Sequence, residues 1–152
     1  MKRIYLDMCA IQRPLDTPNQ IRIVLESDAV LGILALFEAG QIEIVSSDAL
    51  LYETSKNPLP IRRDHAEEIL SKANVYVALT EDIDDRAQYL IERGIHPLDA
   101  LHLAFAEKSR SEYFCTCDDR LLRRAQTIND LQVEVISPID LIRRIEDYDS
   151  TD

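Results

Sequence analysis

Five short apolar runs constrain this chain more than any other feature: Ile4–Leu6, Ile42–Val45, Val75–Val77, Tyr113–Cys115 and Val133–Ile136. Each is of strand length and rich in β-branched or aromatic residues, and each is followed by a longer segment whose apolar residues recur at helical spacing. Strands joined by helical crossovers return in the same direction. The pattern therefore predicts an α/β fold with a central, mainly parallel sheet of about five strands flanked by helices. At 152 residues, 46% of them apolar, the chain has the size of one domain and enough apolar surface for one core. Only 3 Gly and 6 Pro leave no low-complexity linker. The domain is read as residues 1–145, and the acid-rich end, 146–152, as a frayed, solvated tail.

Helix starts are marked at Thr80 ahead of Glu81 and Asp82, at Pro97, and at Ser137-Pro138-Ile139-Asp140, where Ser137 can cap and Asp140 can return the bond. Between Asn19 and Ala39, Ile21, Val24, Leu25, Leu31, Leu34 and Leu36 are expected to pack on the sheet as one helix or a broken pair, with Gly40 as the stop.

Charge narrows the function classes. Lys and Arg number 17 against 28 Asp and Glu, a net charge of -11 with a pI near 4.7, so the surface as a whole repels a phosphate backbone. Asp7 interrupts the first apolar stretch before it can act as a signal sequence, and no later run has the length to span a bilayer. An odd number of cysteines, Cys9, Cys115 and Cys117, fits a reducing compartment, and the protein is read as cytoplasmic, with no membrane partner.

In a parallel α/β sheet, ligands bind in the crevice beyond the carboxyl ends of the strands. Asp7 follows the first run, Ser46, Ser47 and Asp48 follow the second, and Asp118 and Asp119 follow the fourth. Glu53 in the next helix and Asp99 in the first turn after Pro97 can reach the same crevice if strands one and four are neighbours. Each acid alone has an ordinary explanation as a turn former, helix cap or exposed helix residue, and Asp48 and Asp119 look most like helix starts. Together, carboxylates a few Å apart repel by several kcal/mol unless one is protonated or a cation intervenes. Mg²⁺ or Mn²⁺ would relieve that repulsion, attract phosphate to an acidic protein and activate water for phosphodiester hydrolysis.

Four segments carry a resemblance: YLDMC at Tyr5–Cys9, SSDALLYE at Ser46–Glu53, HPLDALHLA at His96–Ala104 and FCTCDDRLLRRA at Phe114–Ala125. Together, in order and spacing, they resemble a PIN domain, the nuclease fold of VapC-type toxins. The resemblance implies a metal-dependent endoribonuclease whose acidic quartet is Asp7, Glu53, Asp99 and Asp118, with Thr116 as a supporting hydroxyl. Asp118 is favoured over its neighbour by the spacing from Thr116, while Asp119 either contributes through water or starts the helix. The toxin reading would add a homodimer and a cognate antitoxin that blocks the acidic groove. The segment Ile11-Gln12-Arg13-Pro14-Leu15-Asp16 resembles a PIN subgroup with an Arg-Pro loop rather than the commonest toxins.

Arg13, Arg120, Arg123 and Arg124 are candidate RNA phosphate contacts, although charge runs on helices are usually solvated faces. His102, three residues after Asp99, can donate to a carboxylate, but is read first as a packed, hydrogen-bonded histidine. Cys115 and Cys117 lack a second cysteine pair for zinc. A receiver would need a Lys after the last strand, where Ser137-Pro138 stands, and a dehalogenase-type site would need Asp where Cys9 stands. No phosphate-binding Gly loop occurs. The alternative function is a catalytically silent PIN-like module that binds RNA or a protein partner.

Overall fold

A computed structural model describes the backbone of residues 1–150 and the side chains of residues 1–147. Strands β1 (Lys2–Leu6), β2 (Ile42–Ser47), β3 (Val75–Val77), β4 (Tyr113–Cys115) and β5 (Glu134–Ile136) form one sheet in the order β3-β2-β1-β4-β5. Every adjacent pair is parallel. All five apolar runs thus become strands, and β2 extends two residues beyond its run to include Ser46 and Ser47. Ile4 of the central strand pairs with Ile44 on one side and Tyr113 on the other. Its neighbours Tyr5 and Leu6 are as fully buried as Ile4 itself, as expected of a strand covered on both faces.

The flanking helices are α1 (Met8–Gln12), α2 (Ile21–Glu38), α3 (Asp48–Lys56), α4 (Pro60–Ser71), α5 (Glu81–Glu92), α6 (Pro97–Lys108), α7 (Asp119–Ala125) and α8 (Pro138–Ser150). Their starts follow local chemistry. Pro97 opens α6, where a missing N–H costs nothing. Ser137 Oγ accepts from Asp140 N–H at 3.1 Å ahead of α8. Thr80 precedes α5 as expected, but its hydroxyl donates to the Asp82 side chain instead of capping a backbone N–H. Gly40 follows α2 at φ 75°, a left-handed conformation that glycine adopts without steric cost.

Two expectations need correction. The segment after Asn19 forms one helix, α2, but Ile21, Val24, Leu25 and Leu31 are exposed, and only Leu34 and Leu36 of the expected set pack against the core. The buried side is Glu26, Ala29, Val30 and Ile33. Apolar residues surround this helix, so periodicity could not select the inward face. At the other end, residues from Glu146 to Ser150 continue α8, whose Leu141 and Ile145 are buried, rather than leaving the helix as a tail. Residues 151–152 of that expected tail lie outside the described residues.

The chain leaves β1 for β2 and β3 on one side of the sheet, then crosses to β4 and β5 on the other. The order reverses between β1 and β4. That seam is where an open parallel sheet forms its crevice.

Candidate functional site

Asp7 stands at the carboxyl end of the seam. Its N–H donates to Cys115 O at 2.9 Å, which extends the β1–β4 pairing by one step. Its side chain caps α1, with Oδ1 accepting from Met8 N–H at 2.8 Å. Oδ2 accepts from Thr116 Oγ1 at 2.8 Å and from Cys9 Sγ at 3.3 Å. Asp7 is only 7% exposed, and burial pushes its carboxyl above the ordinary value.

Glu53 reaches the seam from α3. Ser47, the last residue of β2, sets that helix by accepting from Leu50 N–H at 3.2 Å through Oγ. Glu53 Oε1 contacts Nε2 of the buried His102 on α6. Asp7, Glu53 and His102 each offer one ligand atom within 4.8 Å of the others. Of the four acids expected at the site, the structure brings Asp7 and Glu53 into this tight group, while Asp99 and Asp118 stand outside it.

Asp99 nevertheless feels the same field. It lies half-buried in the first turn of α6, and burial, then the charges of Asp7 and Asp118, push its carboxyl up to about 6. Asp118 caps α7 through Oδ1, which accepts from Arg120 N–H at 2.9 Å and Leu121 N–H at 3.2 Å. Its own N–H donates to Thr116 Oγ1 at 3.1 Å. Thr116 thereby ties Asp118 to Asp7, which gives the two-residue spacing a physical meaning.

The remaining candidates separate. Asp119 forms a two-oxygen pair with Arg22 of α2, at 2.7 and 2.9 Å, which lowers its carboxyl below the usual range. Arg13 binds Asp16 and the buried Glu26, both at 2.9 Å, and is thus part of an internal ion-pair network. Arg120, Arg123 and Arg124 are exposed on α7, beside Asp118. Asp48 ties β3 to α3 by accepting from the Tyr76 hydroxyl and from Leu79 N–H.

Sequence reasoning missed Tyr5 and Cys9 as parts of the site, placed Ser47 only at the sheet's functional edge, and put packing ahead of carboxylate contact for His102, which is both buried and in contact with Glu53. The signal for Tyr5 was its position two residues before Asp7, hence on the same face of β1. The signal for Ser47 was its place immediately before the helix start at Asp48.

The donor set suits a hard divalent cation. Asp7 and Glu53 offer carboxylate oxygens, and positive charge beside Asp7 would offset the carboxylate repulsion that, after burial, raises Asp99. A family model for the PIN domain matches residues 14–127, more than half of the chain. The chain belongs to the PIN domain family. Glu53, Asp99 and Asp118 fall inside the matched part of this PIN domain, and Asp7 precedes it. PIN domains are generally metal-dependent nucleases, which agrees with an acidic group at the sheet's switch point. Among solved structures, the fold is similar to PAE2754 from Pyrobaculum aerophilum, with a TM-score of 0.52 and 17% identity over 96% of this chain and 90% of that one. No curated protein matches this PIN domain. Among the described residues, no helix is long and apolar enough to cross a membrane.

Proposed function

We propose that this PIN domain is a divalent-metal-dependent endoribonuclease that hydrolyses RNA phosphodiester bonds with Mg²⁺ or Mn²⁺. Asp7, Glu53, Asp99 and Asp118 are the residues that would hold the ion. One observation carries the reading: buried Asp7 shares a 4.8 Å group with Glu53 and His102, while burial, and then the charges of Asp7 and Asp118, raise the nearby Asp99. Such crowding of acids has a use when a cation is present.

When bound, a divalent cation supplies Lewis acidity toward water and neutralises phosphate charge. The chain's own residues do the rest. Thr116 and Cys9 hold Asp7 by hydrogen bonds to Oδ2, and the burial of Asp7 keeps bulk water from screening it. Asp99 and Asp118 stand at two helix starts, near enough for the Asp118 charge to act on Asp99. The exposed Arg120, Arg123 and Arg124 can guide an RNA strand through its phosphates, whereas Arg13 would first have to leave Glu26 and Asp16.

The biological setting we infer is a cytoplasmic toxin that acts as a homodimer and is blocked by a cognate antitoxin. Its support is the likeness to VapC-type toxins, together with Ile21, Val24, Leu25 and Leu31, which leave one side of α2 apolar and exposed for a second copy.

The test is cleavage of a mixed panel of structured and single-stranded RNAs by purified protein with Mn²⁺ or Mg²⁺, beside EDTA and Asp7→Asn controls. Asn keeps an acceptor for Met8 N–H, so the α1 cap survives while the charge is lost. Cleavage abolished by both controls is the expected result. If calorimetry finds no metal binding and no RNA is cut, the nuclease reading fails and a catalytically silent binding module takes its place.

A further inference from the structure

Beneath the acidic group runs a buried hydrogen-bond chain whose direction can be worked out. It passes from Leu50 N–H to Ser47 Oγ at 3.2 Å, then to Tyr5 Oη at 2.7 Å, to His102 Nδ1 at 2.6 Å, and from His102 Nε2 to Glu53 Oε1. Ser47 and Tyr5 are 0% exposed and His102 is 1% exposed, so water offers these protons no alternative partner.

Two directions are conceivable. In the first, Ser47 donates to Tyr5 and Tyr5 donates to His102 Nδ1. Nδ1 is then the lone-pair nitrogen, Nε2 carries the proton, and that proton points to Glu53. Every donor meets an acceptor. In the second, Nδ1–H donates to Tyr5 and Tyr5 donates to Ser47. The Ser47 proton is then stranded in the core, because the one acceptor paired with Ser47 Oγ among the described residues, Tyr5 Oη, is now donating to it, and its other partner, Leu50 N–H, is a donor. A buried hydroxyl without an acceptor is strongly disfavoured.

We propose that Ser47 and Tyr5 lock His102 as an Nε2–H donor to Glu53, which makes His102 a positioning residue rather than a metal ligand. The proposal rests on the reading of Asp7 and Glu53 as ion-holding carboxylates. Although His102 lies within 4.8 Å of both, its Nε2 lone pair is not available while it carries the proton. Its N–H instead fixes Oε1, so that Oε2 is the oxygen Glu53 offers to an ion. Donation to one carboxylate oxygen orients the group and preserves its negative charge.

Long-range ¹H–¹⁵N correlation spectra of the metal-free protein test the relay directly, because they distinguish a protonated ring nitrogen from one with a lone pair. The expected spectrum shows a lone pair at Nδ1 and a proton at Nε2 of His102. In Tyr5→Phe, His102 should lose this single form and populate both tautomers. Mn²⁺ affinity by calorimetry should fall about tenfold or more, while Tyr52→Phe, on the exposed side of α3, should bind as wild type does. A proton at Nδ1 in wild-type protein that binds Mn²⁺ overturns the relay alone. A Tyr5→Phe protein with unchanged tautomer and unchanged affinity also overturns it. Failure of wild-type protein to bind Mn²⁺ overturns the metal reading and the positioning role built on it.

Discussion

Replacing Asp99 by Asn should stabilise the metal-free protein while destroying its metal site. Burial and the charges of Asp7 and Asp118 push the Asp99 carboxyl up to about 6 from 3.8. A displacement of that size corresponds to about 3 kcal/mol between the two protonation states. Asp99 is only half-buried, and solvent screening reduces the figure to about 1 kcal/mol. The folded state holds this proton more tightly than the unfolded chain does. Stability from the bound proton is therefore present below the ordinary value of 3.8 and is lost as pH rises through about 6. Above that pH the ionised side chain is a net burden on the empty site, even after the favourable interaction of an acid with a helix N-terminus. Asn carries no charge at any pH. In EDTA at pH 7.5, urea unfolding should show Asp99→Asn about 1 kcal/mol more stable than wild type, a melting shift of about 2–4 °C for a chain of this length. At pH 4.5 the gap should narrow, and with Mn²⁺ present it should reverse, because only wild type gains stability from binding. A variant that is no more stable at pH 7.5, or whose advantage is the same at both pH values, refutes the crowding argument.

Three further outcomes are expected. Arg13→Ala removes one of the two partners of Glu26, which is 2% exposed, and leaves only Arg22 at 3.3 Å; denaturant unfolding should show a loss of about 2–3 kcal/mol, and a loss below about 0.5 kcal/mol would reject the pair as a structural tie. Thr116→Val keeps the shape but removes the donor to Asp7 and the acceptor for Asp118 N–H, so stability should fall by about 1–2 kcal/mol and calorimetric Mn²⁺ affinity by about tenfold or more. Asp118→Asn should abolish metal-dependent cleavage in a gel assay, whereas Asp119→Asn, which loses only an exposed pair with Arg22, should fold and cleave close to wild type; the opposite pattern would transfer the role to Asp119.

The fold was legible where the physics is local. Apolar strand runs such as Ile4–Leu6 are buried on both faces of a parallel sheet, so they announce themselves without long-range information. The inward face of α2 was not legible, because Leu25 and Leu31 are as apolar as Val30 and Ile33, and what separates them is the position of neighbouring elements. Glu26 shows the same limit from the other direction: a charged residue that reads as solvent-facing is buried because Arg13 and Arg22 reach it from separate segments. At the site, the acids stood out through their places after strands and at helix starts. Tyr5 and Ser47 did not, since their side chains act through contacts 97 and 42 residues apart in sequence. The pairing of β1 with β2 brings Ser47 to Tyr5, and α6, on the crossover that leads to β4, brings His102.

That topology also bears on how an acidic protein can handle RNA. With a net charge of -11, the surface repels phosphate, and the crowded carboxylates at the seam strengthen the repulsion. On the proposed reading, two local features oppose it. Arg120, Arg123 and Arg124 place positive charge on the helix that Asp118 caps, and a divalent cation reverses the sign of the crevice itself. The arginines act whether or not the ion is bound, but they cannot remove the repulsion at the point where the scissile phosphate must sit. On that reading productive RNA binding is coupled to metal binding, and Asp99, whose charge burdens the metal-free fold, belongs to the group that would make the loaded site attractive to phosphate.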